Sequence, residues 1–150
     1  MYLDLTGVIP PVSAAREFLA DSSANKRERL IDELIDSPAH ATHLANVWRD
    51  LMLARKFDPS QVPGMIGLQN WLRRQFVDRK RYDRIVADLL VATGGDESGP
   101  ALFYTAVGVK PEELGTTTSR IFLGIRLDCA QCHDHPFDRW TQQDFWGYAA

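Results

Sequence analysis

The chain has 150 residues, 45% of them hydrophobic and 25% charged, the balance of an ordinary globular protein able to bury one core without staples. A net charge of −3 argues against a nucleic-acid binder, which needs a basic excess to meet phosphates. No apolar run approaches a membrane span, and the longest, near Ile121–Ile125, is far too short.

Met1 leads directly into the patterned segment YLDLTGVIPP, with no signal peptide, and the chain stops inside the helical pattern DFWGYAA. The expectation is one domain, residues 1–150, excerpted from a longer protein. SAAREFLADS predicts a helix capped by Ser13, with Arg16 and Glu17 facing water and Phe18 and Leu19 facing in. NKRERLIDELIDS, with Asn25 as cap, places Leu30, Ile31, Leu34 and Ile35 on one face. SPAHATHLANVWRDLMLARKF starts on Ser37 as N-cap with Pro38 at the first helical position, and its apolar stripe reads Leu44, Val47, Trp48, Leu51 and Met52. A loop, DPSQVPG, follows.

LQNWLRRQFVDRK turns Leu68, Trp71, Leu72 and Phe76 inward, and YDRIVADLLVATGG does the same with Tyr82, Ile85, Val86, Leu89 and Leu90 before stopping at Gly94–Gly95. These stripes read as core. The basic cluster Arg73, Arg74, Arg79, Lys80, Arg81 and Arg84 is interrupted by Asp78 and Asp83, and reads as a solvated helix face. From Asp96 to Thr118 the composition turns to Gly, Pro, Ser and Thr, which predicts a long ordered loop around one apolar piece, ALFYTAVGV. TSRIFLGIRLDCAQCH alternates like a strand yet also fits a helix face; its Thr-rich start favours a helix. TQQDFWGYAA opens a last helix, with Thr141 and Asp144 at capping-box spacing. No internal repeat is found. The expected fold is all-α: a compact multi-helix domain with a long ordered loop before the motif helix.

The run CAQCHDHPF, Cys129–Phe137, holds both cysteines and two of the four histidines. In C-x-x-C-H two thiols three positions apart can each add to a vinyl group of haem, and the adjacent imidazole reaches the iron. Cys129 and Cys132 would carry the thioether bonds of a haem c, and His133 would be the proximal ligand. Zinc on Cys129, Cys132 and histidines is an alternative, but a structural site wants four ligands and only His40 or His43 could complete it. A thioredoxin-like pair needs a βαβ context that a helical chain lacks. A plain disulfide or inert thiols remain the bland reading.

For the sixth iron position His43, at the edge of its helix's apolar stripe, is the expected ligand; His40, Met65 and Met52 (which reads as a core filler) are the other candidates, and an open or water-bound iron is a further possibility. His135 is expected to hydrogen-bond Asp134 or Asp138 instead. Phe137, Trp140, Phe145 and Trp146 could wall a haem edge, and Arg120, Arg126 and Arg139 could pair with propionates.

The stretches YLDLTGVIPP with REFLADS, KRERLIDELIDSPAH, NVWRDLML and above all SRIFLGIRLDCAQCHDHPFDRWTQQDFWG resemble the planctomycete cytochrome-like domain of large secreted proteins, a domain of unknown function. The resemblance covers nearly the whole chain. It implies export across the inner membrane behind an upstream signal peptide, hence a periplasmic or extracellular setting, and neighbouring domains in the same chain as partners. It also carries Cys129, Cys132 and His133 over as ligands, and it implies no established substrate or reaction. The expected function is electron transfer by a haem c domain to a redox partner protein. The rivals are a non-redox helical scaffold with a zinc site or disulfide, and a haem enzyme with an open iron.

Overall fold

The computed structural model describes residues 1–53, 62–94 and 99–150. Among them the elements are α1 (Tyr2–Thr6), α2 (Val12–Ala20), α3 (Lys26–Ile35), α4 (Pro38–Leu53), α5 (Val62–Val77), α6 (Tyr82–Leu90), α7 (Leu102–Val107), α8 (Pro111–Thr118), a π-turn (Ser119–Leu123), a 3₁₀ turn (Asp128–Gln131) and α9 (Gln142–Ala149). The described residues contain no strand, so the all-α expectation holds. The expected loop Asp58–Gly64 falls largely outside the described residues, although Val62–Gly64 already belong to α5.

The paired helices α4 and α5 form the centre. Ser37 caps α4 as its sequence requires, its hydroxyl accepting the His40 amide at 3.2 Å. The buried face of α4 is Ala41, Ala45 and Met52, whereas Val47 and Leu51, expected inside, are exposed. Hydrophobicity points to the large side chains, but small alanines, Ala41 and Ala45, face the neighbours of α4. The same correction applies to Leu19, which is 77% exposed while Phe18 is half-buried under the Lys26 ammonium at 4.8 Å. In α2 Pro11, not Ser13, occupies the cap position.

The main core joins Ala45, Met52, Leu68, Leu72, Leu89, Phe103 and Val107. Two of these lie in the stretch expected to be a loop. That stretch instead folds α7 and α8: Pro111 starts α8, Glu112 and Glu113 fill its first turn, and Gly108 ends α7. The predicted motif helix is also corrected. After α8 the chain widens into the π-turn, whose Ile121 and Phe122 pack on the main core, and then breaks at Gly124 with φ 68°. The basic cluster is exposed, with Arg79 paired to Asp36, Lys80 to Asp88 and Arg81 to Asp83.

Helix α1 packs on α3 and α4, close to the start of α4. Gly7, with φ 71°, ends it so tightly that a Cβ there would stand 2.5 Å from Nδ1 of His43. Gly7→Ala is therefore expected to cost at least about 1 kcal/mol from the left-handed backbone alone, with further loss as the imidazole is displaced. Chemical denaturation checks this, and an unchanged midpoint would show that α1 is not seated on His43.

Candidate haem-attachment site

The motif is held by a second, smaller core. Leu127, Ala130 and Phe145 are buried together, with Ile125, Trp140 and Ala149 packed around them. In a 3₁₀ turn residues three apart eclipse one another. Asp128 and Gln131 accordingly share one side and border a cleft of about 1130 Å³, lined also by Met52, Val107 and Arg120. Cys129 lies within the turn and Cys132 at its C-cap; both are free and exposed. Ala130, between them, points into the small core.

His133 follows directly and is exposed. Its Nδ1 lies 2.7 Å from the Asp134 carbonyl oxygen. A carbonyl only accepts, so Nδ1 carries the proton and donates, and in the neutral ring Nε2 keeps a free lone pair. A backbone carbonyl that fixes the tautomer and orients the ring is the usual support of a metal-binding imidazole.

Other hydrogen bonds lace the motif to α9. The Asp134 carboxylate accepts the Gln142 amide at 2.9 Å, and the Gln131 carbonyl accepts Nε1 of Trp146 at 3.2 Å and Nε2 of Gln142 at 3.3 Å. Asp134 thus serves α9, and the bond expected between His135 and Asp134 or Asp138 is replaced by one from the Phe137 amide. His135 accepts the Phe137 amide on Nδ1 at 3.2 Å, and its own amide reaches the Trp140 carbonyl at 2.8 Å. The roles of Asp134 and Gln131 escape sequence reading because only the turn of the chain between residues 131 and 142 brings them to the helix start.

The start of α9 is the predicted capping box: Thr141 Oγ1 accepts the Asp144 amide at 3.1 Å, and the Asp144 carboxylate accepts the Thr141 amide at 2.8 Å. The bonds that the Thr141 amide and hydroxyl donate to it hold the Asp144 carboxyl below its ordinary range. A lowered folded pKa means that this stabilisation is fully present above the ordinary carboxylate pKa and is lost as pH falls through the lower folded one. Thr141→Ala is expected to cost about 1 kcal/mol, read from denaturation at neutral pH, and the deficit should shrink when wild type and variant are compared in strong acid. A deficit unchanged by acid would separate the cap from the carboxylate.

The four aromatics divide. Phe145 is core, Trp140 is half-buried beneath the Arg139 guanidinium at 5.0 Å, Trp146 is partly exposed, and Phe137 is 96% exposed. Of the arginines, Arg126 pairs with Asp128 at 3.1 Å, which keeps the Asp128 carboxyl below its usual range, while Arg120 lines the cleft.

His43 is not brought to the motif. It lies under Gly7, and roughly 13 Å of α4 separate it from Met52 at the cleft. His40 is tied to α1 by donating from Nδ1 to the Leu5 carbonyl at 2.7 Å. Among the described residues no three His, Cys, Asp or Glu side chains converge on a point that could hold a metal ion. That arrangement does not fit zinc, which needs convergent ligands. Cys129, Cys132 and His133 are all exposed, and they are the residues that would hold a haem c, whose thioether bonds form at the ring edge and whose imidazole bond forms at the ring centre.

The family described as PSCyt2, Protein of unknown function (DUF1549), matches residues 1–150. The chain belongs to that family. No curated protein and no solved structure matches it. In this PSCyt2 domain the C-x-x-C-H segment is thus an exposed turn anchored by buried Leu127 and Ala130 and by the hydrogen bonds to α9. Among the described residues no helix is long and apolar enough to cross a membrane.

Proposed function

We propose that this PSCyt2 domain carries one covalently attached haem c on Cys129 and Cys132, with His133 as proximal ligand, and transfers electrons. The setting we propose is outside the cytoplasm, periplasmic or extracellular, within a longer secreted planctomycete chain whose other domains and an unidentified redox protein are its partners. The observation that carries the reading is His133: its Nδ1 proton is committed to the Asp134 carbonyl, so Nε2 is available next in sequence to two free, exposed thiols. Bound haem would supply the redox chemistry. The chain's part is to hold the group covalently, orient the imidazole, and set the burial that tunes the potential.

The test is the intact mass of protein matured in an export-competent host with the haem-attachment machinery. After acid–acetone extraction, one haem per chain should remain. A bare polypeptide mass overturns the reading, and a mass two hydrogens lower than that points to a Cys129–Cys132 disulfide.

A further inference from the structure

We infer that the cleft beside the motif turn binds a small organic monocarboxylate, its acid group on the Arg120 guanidinium and its hydrocarbon body on the apolar wall of α4 and α7. The inference goes beyond the haem reading and does not rest on it, because the residues that carry it belong to α4, α7, α8 and the π-turn.

The cleft, of about 1130 Å³, has two unlike walls. One is a face of α8 carried on into the π-turn. Glu112 and Glu113, Thr116 and Thr117, and then Arg120 recur at four-residue spacing, so a single helical face presents them all. Each of them is half-buried, so this polar strip faces the cleft and not open water. The other wall is apolar, with Leu51 and Met52 from the last turn of α4 and Val107 from the end of α7. Hydrocarbon across from a few polar groups is the lining that orients an amphipathic small molecule.

The charges decide which molecule. Arg126 donates to the Asp128 carboxylate at 3.1 Å, so those two groups answer each other. Arg120 acts on the same carboxyl through its charge alone, and among the described residues it donates no hydrogen bond. The planar fork of a guanidinium matches a carboxylate with two parallel bonds, which are stronger than bonds between neutral groups. A second negative charge on the ligand would be opposed by Asp128 and by the Glu112 and Glu113 end of the strip, roughly 10 Å back along α8. A monoanion is therefore favoured over a phosphate, and the far end of the ligand is neutral or cationic. Arg120 also stands in the π-turn, and single widened turns of this kind are frequent at functional sites.

The experiment is calorimetric titration of the purified protein with phenylbutyrate, with phenylbutanol, phenylbutylamine and inorganic phosphate as comparisons. The expected result is saturable binding of one phenylbutyrate per chain, weakened by added salt, with the alcohol and the amine bound at least about tenfold more weakly. Arg120→Gln should lower the affinity for phenylbutyrate by a similar factor and leave that for the alcohol unchanged. Leu51→Gln, at an exposed position, should weaken acid and alcohol alike, and it keeps the test open if Arg120→Gln fails to fold. No binding of phenylbutyrate at millimolar concentration overturns the inference. So does equal affinity for acid and alcohol, or an Arg120→Gln protein that binds the acid unchanged, since the probe would then lie elsewhere, as in the apolar groove lined by Phe18 and Leu30. Tighter binding of the amine, or of inorganic phosphate, overturns it as well.

Discussion

Phe103→Ala is expected to destabilise the domain by about 3–5 kcal/mol. Phe103 is fully buried in the main core, its ring centroid 6.0 Å from that of Phe122 and 5.8 Å from that of Tyr104. Truncation removes the transfer energy of a whole aromatic ring and leaves a cavity between α5, α7 and the π-turn. The Leu68 and Leu72 side chains that would have to close it are themselves fully buried in helix α5. A loss of that size is a large part of the stability of a single domain, about 5–15 kcal/mol, so the variant should unfold at a markedly lower denaturant concentration. The measurement also decides between two descriptions of residues 96–118. An ordered loop with a peripheral Phe would lose less than about 1 kcal/mol, and a loss that small would sink the assignment of α7 to the core.

His133→Ala is expected to have very unequal consequences in the two forms of the protein. Without haem the side chain is exposed and bonded only to its neighbour's carbonyl, so the apo-domain should change by no more than about 0.5 kcal/mol. On the haem reading proposed above, the same substitution would remove the proximal ligand from the loaded protein. Holo-protein should then fail to accumulate or should lose its axial imidazole spectrum, and the stabilisation that a cofactor bound only to the folded state confers should fall with it. Thermal unfolding of both forms, with the ferric spectrum, makes the comparison. An unchanged holo spectrum would remove His133 from the iron.

The helices with long uninterrupted patterns, α3 to α6, could be read from the sequence by their periodicity, and the starts of α4, at Ser37 and Pro38, and of α9, at Thr141 and Asp144, by their caps; the start of α5 at Val62 and the end of α6 at Leu90 could not. Pattern fixed the existence of these helices better than their orientation, since hydrophobicity cannot tell that Ala45 will be buried and Leu51 exposed. This is also why His43 was expected near the motif. A position on a helix face says that a side chain meets something, but not which neighbour it meets, and here the neighbour is Gly7.

The two helices missed in the Gly- and Thr-rich stretch are held by long-range contacts. Gly115 lets α9 come close enough that a Cβ would stand 3.0 Å from that of Ala149, and the Tyr148 hydroxyl donates to Thr118 Oγ1 at 3.1 Å. Propensity alone does not register such partners. At the motif the reverse holds. The residue types and their spacing were plain, while the turn that sorts them, with Asp128 and Gln131 to the cleft and the thiols to water, appears only in three dimensions.

Gly124, where the π-turn ends, has a left-handed backbone at φ 68°, and a Cβ built there would meet nothing within 4 Å. The restriction at this corner is one of handedness and not of room. An alanine of the mirror-image configuration, introduced by chemical ligation, would sit there without strain and would narrow the choices of the unfolded chain, whereas its natural counterpart would resist the same bend. The corner that leads from the main core to the C-x-x-C-H turn is thus specified by chirality, and a single stereocentre could be used to tighten or loosen it without touching a thiol or an imidazole.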